Sequence, residues 1–405
     1  MSKKAVRRVR VAIAGGGPVG SVAAYRLAQA GIDVVVLESR GSLPEDMRAS
    51  TFHPPTLEMM RELGLLDELE AVGLRAPIYQ YRNRGTGEII AFDMGEIADV
   101  SPHPYRLQCE QFKLTRLIAS KLRDHPHGEV MFDRKVVHFE QDADGVTINV
   151  EAPFGVETIR ADYLIAADGA NSLVRKWLDV DFSGFTYPEK FLTLSTAQPL
   201  EPFFNDLAGV NYVADASEWC VLLKVPDFWR VLVPAPEDVP DDVLTADAKK
   251  TAVFDGLTDG QGESVVTHHR TIYRVHQRVA DQYAHGRVLL AGDAAHLNNP
   301  LGGFGMNSGI HDAWNLTEKL GQILLEGADP ELLLARYDRQ RRTVMHEFVQ
   351  AQTIRNKQNL EATDVQKRAR YEDHLKAAAR DPVARRSHIL TQAMYPSRQR
   401  EAEIQ

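Results

Sequence analysis

Three short motifs with the residue types to hold a phosphorylated cofactor occur in this chain, far apart and in a fixed order. The first is Gly15-Gly16-Gly17-Pro18-Val19-Gly20, directly after the apolar run Val11–Ala14. In the spacing Gly15-x-Gly17-x-x-Gly20, the first glycine permits a tight turn. The second lets backbone approach a pyrophosphate, and the third lets helix and strand pack closely. A helix opening at Pro18 would offer free N–H groups and a partial positive charge to the phosphates. Glu38, with Ser39 beside it, closes the next apolar run and is placed to accept hydrogen bonds from a ribose. An acidic residue there disfavours a 2′-phosphate. These features suit NAD and FAD equally.

The other two motifs separate those cofactors. The middle one runs from Asp162 to Arg175 and carries Asp168-Gly169, Ser172 and Arg175. The late one is Arg287-Val288-Leu289-Leu290-Ala291-Gly292-Asp293, followed by Pro300, Gly302, Gly303, Gly305, Met306 and Asn307. Asp293 follows an apolar strand, so its short carboxylate stands at a strand's carboxyl end. There it can accept hydrogen bonds from ribityl hydroxyls, which NAD lacks. The loop Pro300–Gly305 has little bulk and can lie against a flat isoalloxazine ring. A helix beginning near Asn307 would aim its positive end at the ring and stabilise negative charge on reduced flavin. The set therefore argues for FAD held along its length. His296 admits a catalytic reading, but a satisfied structural histidine is the commoner outcome.

Elements that must position these motifs can be read from periodicity. Val9–Ala14, Asp33–Leu37, Tyr163–Ala167 and Arg287–Ala291 read as buried strands, and Pro18–Ala30 as a helix stopped by Gly31. The opening β-α-β unit implies a parallel sheet. Helices are expected at Thr56–Leu63, Gln111–Leu122 and Asn307–Leu325, and paired strands at Glu129–Glu140 and Gly145–Glu151 around the turn Asp144-Gly145. From about Asp179 to Ala280 strand-like segments alternate with Pro- and Asp-rich connections. The fold class expected is α/β: a Rossmann-like FAD-binding domain with a parallel sheet, a mostly antiparallel β-sheet substrate domain, and a C-terminal helical segment. The expected division is 1–75, 105–178 and 281–345 for FAD, 76–104 and 179–280 for substrate, and 346–405 for the helices.

Composition narrows the class further. The 405 residues are 44% hydrophobic and 25% charged, and the net charge is −9, which argues against a general nucleic-acid surface. Cys109 and Cys220 are too few and too separated for a metal site or disulfide framework, and read as free thiols. No stretch approaches a membrane span, and the basic Met1–Arg10 runs straight into the first strand, so a cytoplasmic protein is expected. Basic clusters such as Arg339-Gln340-Arg341-Arg342 and Arg385-Arg386 read as solvated helix faces, because acidic residues are interspersed.

Taken together, the motifs resemble those of the single-component flavoprotein aromatic hydroxylases, the 4-hydroxybenzoate hydroxylase family, over about Val9 to Leu325. Gly15, Gly17 and Gly20 match the family's first fingerprint. Asp168-Gly169 with Ser172 and Arg175 matches its Asp-Gly motif, and Gly292-Asp293 the motif contacting the FAD ribityl and ribose region. Arg48-Ala49 resembles the family's arginine near the flavin. Gln111 resembles the glutamine that touches the flavin side chain, with Gln108 an alternative. The substrate-binding tyrosines, serine and arginine of 4-hydroxybenzoate hydroxylase itself are not assigned to positions of this chain.

The resemblance implies bound FAD, transient NADH or NADPH, and O₂. It implies hydroxylation of a phenol, aminoarene or hydroxypyridine, often carboxylated, through a flavin C4a-hydroperoxide. Catalytic candidates are Arg48, His53, Tyr212 and Pro300; Arg230, His268 and His269 also fall in segments that could line a domain interface. The expected partner is a small aromatic substrate, with no nucleic acid or membrane, in a monomer or homodimer. A flavin oxidase or reductase that inserts no oxygen is the alternative, and a non-catalytic flavin-binding protein a more distant one.

Overall fold

The computed structural model describes residues 6–45, 47, 49–215, 218–361 and 365–405. Arg48 lies outside the described residues. The first strand, Arg7–Ala14, runs parallel to Val34–Leu37 on one side and to Gly155–Ala166 on the other. Gly128–Met131 extends the sheet beyond Val34–Leu37, and Val288–Leu290 extends it beyond Gly155–Ala166, both in parallel. Val11 to Ala14 and Leu164 to Ala166 are at most 2% exposed. That fits their continuous apolar runs, since a parallel sheet is covered on both faces.

Register decides where the motifs meet. Ala14 is level with Leu37 and with Ala166, and Ala166 is level with Leu290. Four strands thus end at one height. Hydrogen bonds lock that edge: Gly15 N–H to Leu37 O, Ala167 N–H to Ala14 O, and Ala291 N–H to Ala166 O, each 2.9 Å. Gly15, Glu38, Asp168 and Gly292-Asp293, separated by up to hundreds of residues in the chain, must emerge on the same side.

The second sheet is mostly antiparallel. Its order is His296–Leu297, His269–Ala280, Phe182–Thr196, Trp229–Ala235, Cys220–Lys224, Val210–Ala214, Ile78–Asn83 and Ile89–Asp93, with one parallel pair between Val210–Ala214 and Ile78–Asn83. Alternation gives its two faces different work. Leu192, Leu194, Val213, Leu222 and Val231 form a core under the helix Asp247–Leu257. The opposite parity, including Phe191, Tyr212, Val221 and Leu232, meets Leu360, Leu375 and Ile389 of the C-terminal helices.

Several expectations need correction. Glu129–Glu140 is two strands: Gly128–Met131 in the parallel sheet and Lys135–Asp142 in a hairpin with Gly145–Ala152. Asp133, at φ +51°, breaks the run between them. Tyr163–Ala167 is the end of a strand that begins at Gly155, because the hairpin continues to pair along it. The helix expected near Asn307 starts at Phe304, behind Gly303 at φ +72°. Arg341 is not on a solvated face. It is 1% exposed, and Nε donates to Asp312 Oδ1 at 2.7 Å while Nη1 pairs with Glu401. Arg385 and Arg386 are paired with Glu96 and Asp99. Both cysteines are buried free thiols, and burial pushes each up to about 12. No described helix is long and apolar enough to cross a membrane.

Two helices hold the glycine edge from behind, Pro18–Gln29 and Phe304–Glu326. Their approach depends on Val19. A Cβ on Gly309 would lie 2.6 Å from Val19 Cγ2, and one on Gly292 2.7 Å from the same atom. Gly309→Ala should therefore destabilise the protein by about 1–3 kcal/mol, the range for overpacking a tight contact. Adding Val19→Ala should recover most of that loss. Urea unfolding of the two variants checks this; equal losses in the single and double variants would show that the Val19 contact is not the cause.

Candidate active site

One cavity of about 610 Å³ runs from the glycine edge to the antiparallel sheet. At the glycine end, three backbone features shape an open cradle of the kind that would suit a pyrophosphate. Gly15 sits at φ +101°, and a Cβ there would meet Ala167 O at 2.4 Å. A Cβ on Gly20 would meet Gly15 O at 2.0 Å, so this helix touches its strand through bare backbone. Gly17 has nothing within 4 Å of a Cβ position and lines the cavity, at the N-terminus of Pro18–Gln29. Open space and N–H groups directed into it suit an anionic group.

Carboxylates surround the cradle. Glu38 Oε2 accepts from Gly16 N–H at 2.8 Å and Oε1 from Arg40 N–H at 3.0 Å, which fixes its position on the wall. Asp168 Oδ2 accepts from Leu173 N–H at 2.9 Å, whereas buried Oδ1 has no partner. Burial pushes the Asp168 carboxyl up, against hydrogen bonds from Ser172 and Val174 that pull it down. An unpartnered buried carboxylate oxygen is costly unless a donor reaches it, and a hydroxyl-rich ligand supplies one. Asp293 also lines this end. The residues present therefore fit FAD.

The predicted residues divide cleanly. Gly15, Gly17, Pro18, Glu38, Ser39, Gln111, Asp168, Gly169, Asp293, Pro300, Gly303, Gly305 and Met306 line the cavity, and so do Tyr212 and Arg230. Gln108 does not; its Oε1 accepts from Thr51 Oγ1 at 2.9 Å. Gly20 and Gly292 act through packing. Arg175, expected at the cofactor, instead donates to Ala294 O at 2.9 Å and Ala170 O at 2.7 Å, tying the middle motif to the late one. Asn307 is fully buried, donating to Thr51 O at 2.8 Å and Gly303 O at 2.7 Å, and so fixes the loop rather than facing the cavity.

His53 also leaves the catalytic set on geometry. It is fully buried beneath the glycine loop, and Nε2 donates to Gly302 O at 2.8 Å. His268 and His269 lie outside the cavity wall and pack on Phe228. His296 is structural: Nε2 meets Asp312 Oδ2 at 2.7 Å, and the same oxygen accepts from Gly292 N–H at 2.9 Å. Burial raises the Asp312 carboxyl, but His296 and Arg341 outweigh it and hold the group below the usual carboxylate range.

A family model described as FAD binding domain matches residues 8–352. Para-nitrophenol 4-monooxygenase of Pseudomonas sp. (strain WBC-3) is 32% identical over 385 residues, covering 94% of each chain. The chain belongs to the FAD-dependent aromatic monooxygenases. Another relative in that family, 6-hydroxy-3-succinoylpyridine 3-monooxygenase HspB of Pseudomonas putida, is 33% identical, covering 87% of this chain and 88% of its own. The crystal structure of p-nitrophenol 4-monooxygenase PnpA from Pseudomonas putida DLL-E4 superposes with a TM-score of 0.89 at 31% identity, covering 96% of this chain and 99% of that one. This monooxygenase binds FAD.

Sequence reasoning missed Arg106. It lines the cavity although only 1% of it is exposed, and its Nη1 donates to the Tyr212 hydroxyl at 3.3 Å. The one available signal was a basic residue inside the short apolar run Tyr105–Cys109.

His53 and His311 are both fully buried, and burial holds each well below its ordinary value of 6.5. The unfolded chain takes up protons below pH 6.5 while these two native imidazoles stay neutral. Their stabilisation is therefore full above that pH and falls as pH drops, by up to about 1.4 kcal/mol per unit for each histidine. His53→Gln should flatten the acid slope of unfolding free energy by about that amount. An unchanged slope in denaturant titrations at a series of pH values would remove His53 from this role.

Proposed function

We propose that this chain uses NAD(P)H and O₂ to hydroxylate an activated ring carrying its own hydroxyl, a phenol or a hydroxypyridine. The observation that carries this reading is the single cavity that joins the cofactor motifs to an apolar sheet face bearing Tyr212 and Arg230. The names of the two relatives support the same choice, since para-nitrophenol and 6-hydroxy-3-succinoylpyridine both carry a ring hydroxyl.

In this reading Gly15, Gly17, Pro18 and the helix behind them hold the pyrophosphate, and Glu38 with Ser39 the adenosine ribose. Asp293 takes the ribityl hydroxyls, with Gln111, Asp168 and Gly169 along the same side. Pro300, Gly303, Gly305 and Met306 present a flat, small-residue surface to the ring system, at the N-terminus of Phe304–Glu326. Bound FAD, reduced by NAD(P)H, supplies the activation of O₂ and its transfer to the substrate ring. The chain's own part is orientation and water exclusion. Thr193, Val221, Leu223 and Leu232 give the substrate ring an apolar bed, and the C-terminal helices cover the same sheet face. Arg48 is proposed as an anchor near the flavin. The wall includes no described histidine besides His276, which hydrogen-bonds Thr186 at 2.9 Å.

The test is NAD(P)H consumption by the purified yellow protein over a panel of phenols, aminobenzoates and hydroxypyridines, with H₂O₂ measured alongside. One hydroxyarene should stimulate consumption strongly with little H₂O₂. Slow consumption that ends wholly as H₂O₂ for every compound would contradict the proposal. Asp293→Ala should weaken FAD retention by about tenfold or more, the loss expected for charge-assisted hydrogen bonds, with the fold intact by circular dichroism. Wild-type retention would show that Asp293 does not hold the cofactor.

A further inference from the structure

The cavity's described carboxylates all lie at its glycine end, where the cations Arg40, Arg134 and Lys135 line the wall beside them. They are Glu38, Asp168 and Asp293, and all three follow the parallel strands. The sheet end carries Arg106, Arg230, Tyr212 and Tyr273 instead. Arg106 is the unusual member. Its guanidinium lies 4.6 Å above the Tyr79 ring, and Nε and Nη2 are buried without a hydrogen-bond partner. Among the described residues no carboxylate pairs with it. Burying a cation without a counter-charge is strongly unfavourable, so this arrangement calls for an anion from outside the chain.

Tyr212 shows where that anion would sit. Its hydroxyl accepts from Arg106 Nη1, which leaves the phenolic proton to donate. The ring is fixed by stacking on Tyr81 at 5.1 Å. On the neighbouring strands, Tyr212 is level with Val221 and Arg230 is level with Leu223, so both polar groups project from the same face as the apolar bed. Arg230 is held there by donation to Ser50 Oγ at 3.1 Å.

We propose that Arg106, acting through the Tyr212 hydroxyl and beside Arg230, makes the sheet end a receptor for an anionic oxygen of the aromatic substrate. Tyr212 touches that oxygen, and Arg106 is a positioning and specificity residue. The inference rests on the hydroxylase reading above. The anionic oxygen is either the ring's own phenolate or a carboxylate substituent, and a phenolate held this way reaches the flavin already ionised, with no protein base needed.

The experiment measures dissociation constants for the oxidised holoenzyme from the perturbation of flavin absorption. Two probe pairs separate the sources, at a pH where both acids are ionised: 4-nitrophenol against 4-nitroanisole, and 4-methoxybenzoate against its methyl ester. Wild type should prefer the ionised member of one pair by about ten- to a hundredfold. Arg106→Met should bring that ratio close to one, Arg106→Lys should restore much of it, and Tyr212→Phe should lower it. A ratio is read within each variant, so a general loss of affinity does not mimic the effect, and the Lys and Phe variants carry the test if the Met variant does not retain FAD. No preference in wild type, or an unchanged ratio in Arg106→Met and Tyr212→Phe, overturns the proposal. If a neutral aromatic nevertheless stimulates NAD(P)H consumption, the hydroxylase reading stands without it; if no aromatic stimulates it, that reading falls separately.

Discussion

Everything at this site depends on the register of four parallel strands. Ala14, Leu37, Ala166 and Leu290 end level, and backbone hydrogen bonds across the edge allow no slip. A one-residue shift in any strand would change which residue emerges at the cavity. Three motifs scattered over the chain become one cradle because the sheet fixes their height, and bare glycines let two helices close behind it. The buried links Asp312 to Gly292 and Arg175 to Ala294 extend the same constraint to the late motif.

The second sheet solves a different problem. Period-two alternation gives it one face for its own core and one for the cavity. The cavity face has to be dry enough to exclude water yet polar enough to orient a ring. Val221, Leu223 and Leu232 are apolar cavity-wall residues that would meet the first need, and Tyr212, Arg230 and Arg106 are the groups proposed to meet the second. The C-terminal helices complete that face: Tyr371 and His388 lie against Tyr81 and Phe92 behind Tyr212. Burial holds His388 down to about 4, so it stays neutral in this apolar setting.

Cofactor-side chemistry was legible in the sequence because it is local. Glycine spacing, a strand before it and an acid after it each leave a mark within a few residues. Burial of the four strands was legible for the same reason. What escaped depends on tertiary contact. His53, Asn307 and Arg175 look like ligands by type and position, yet each binds a loop carbonyl and holds the wall from behind. Arg341 looked solvated because its neighbours are charged, but its partners Asp312 and Glu401 are distant in sequence. Arg106 was hidden in an apolar run, where nothing local reveals that its side chain reaches a cavity built by strands a hundred residues later.

In the proposed reaction, oxygen activated in this cavity goes into the substrate ring. The most direct measurement is mass spectrometry of the product formed under ¹⁸O₂ with NAD(P)H and the stimulating hydroxyarene. One labelled oxygen is expected in each hydroxylated product molecule, matched to the NAD(P)H consumed. An unlabelled product, with the label recovered as H₂O₂, would contradict it and mark the chain as a flavin oxidase or reductase.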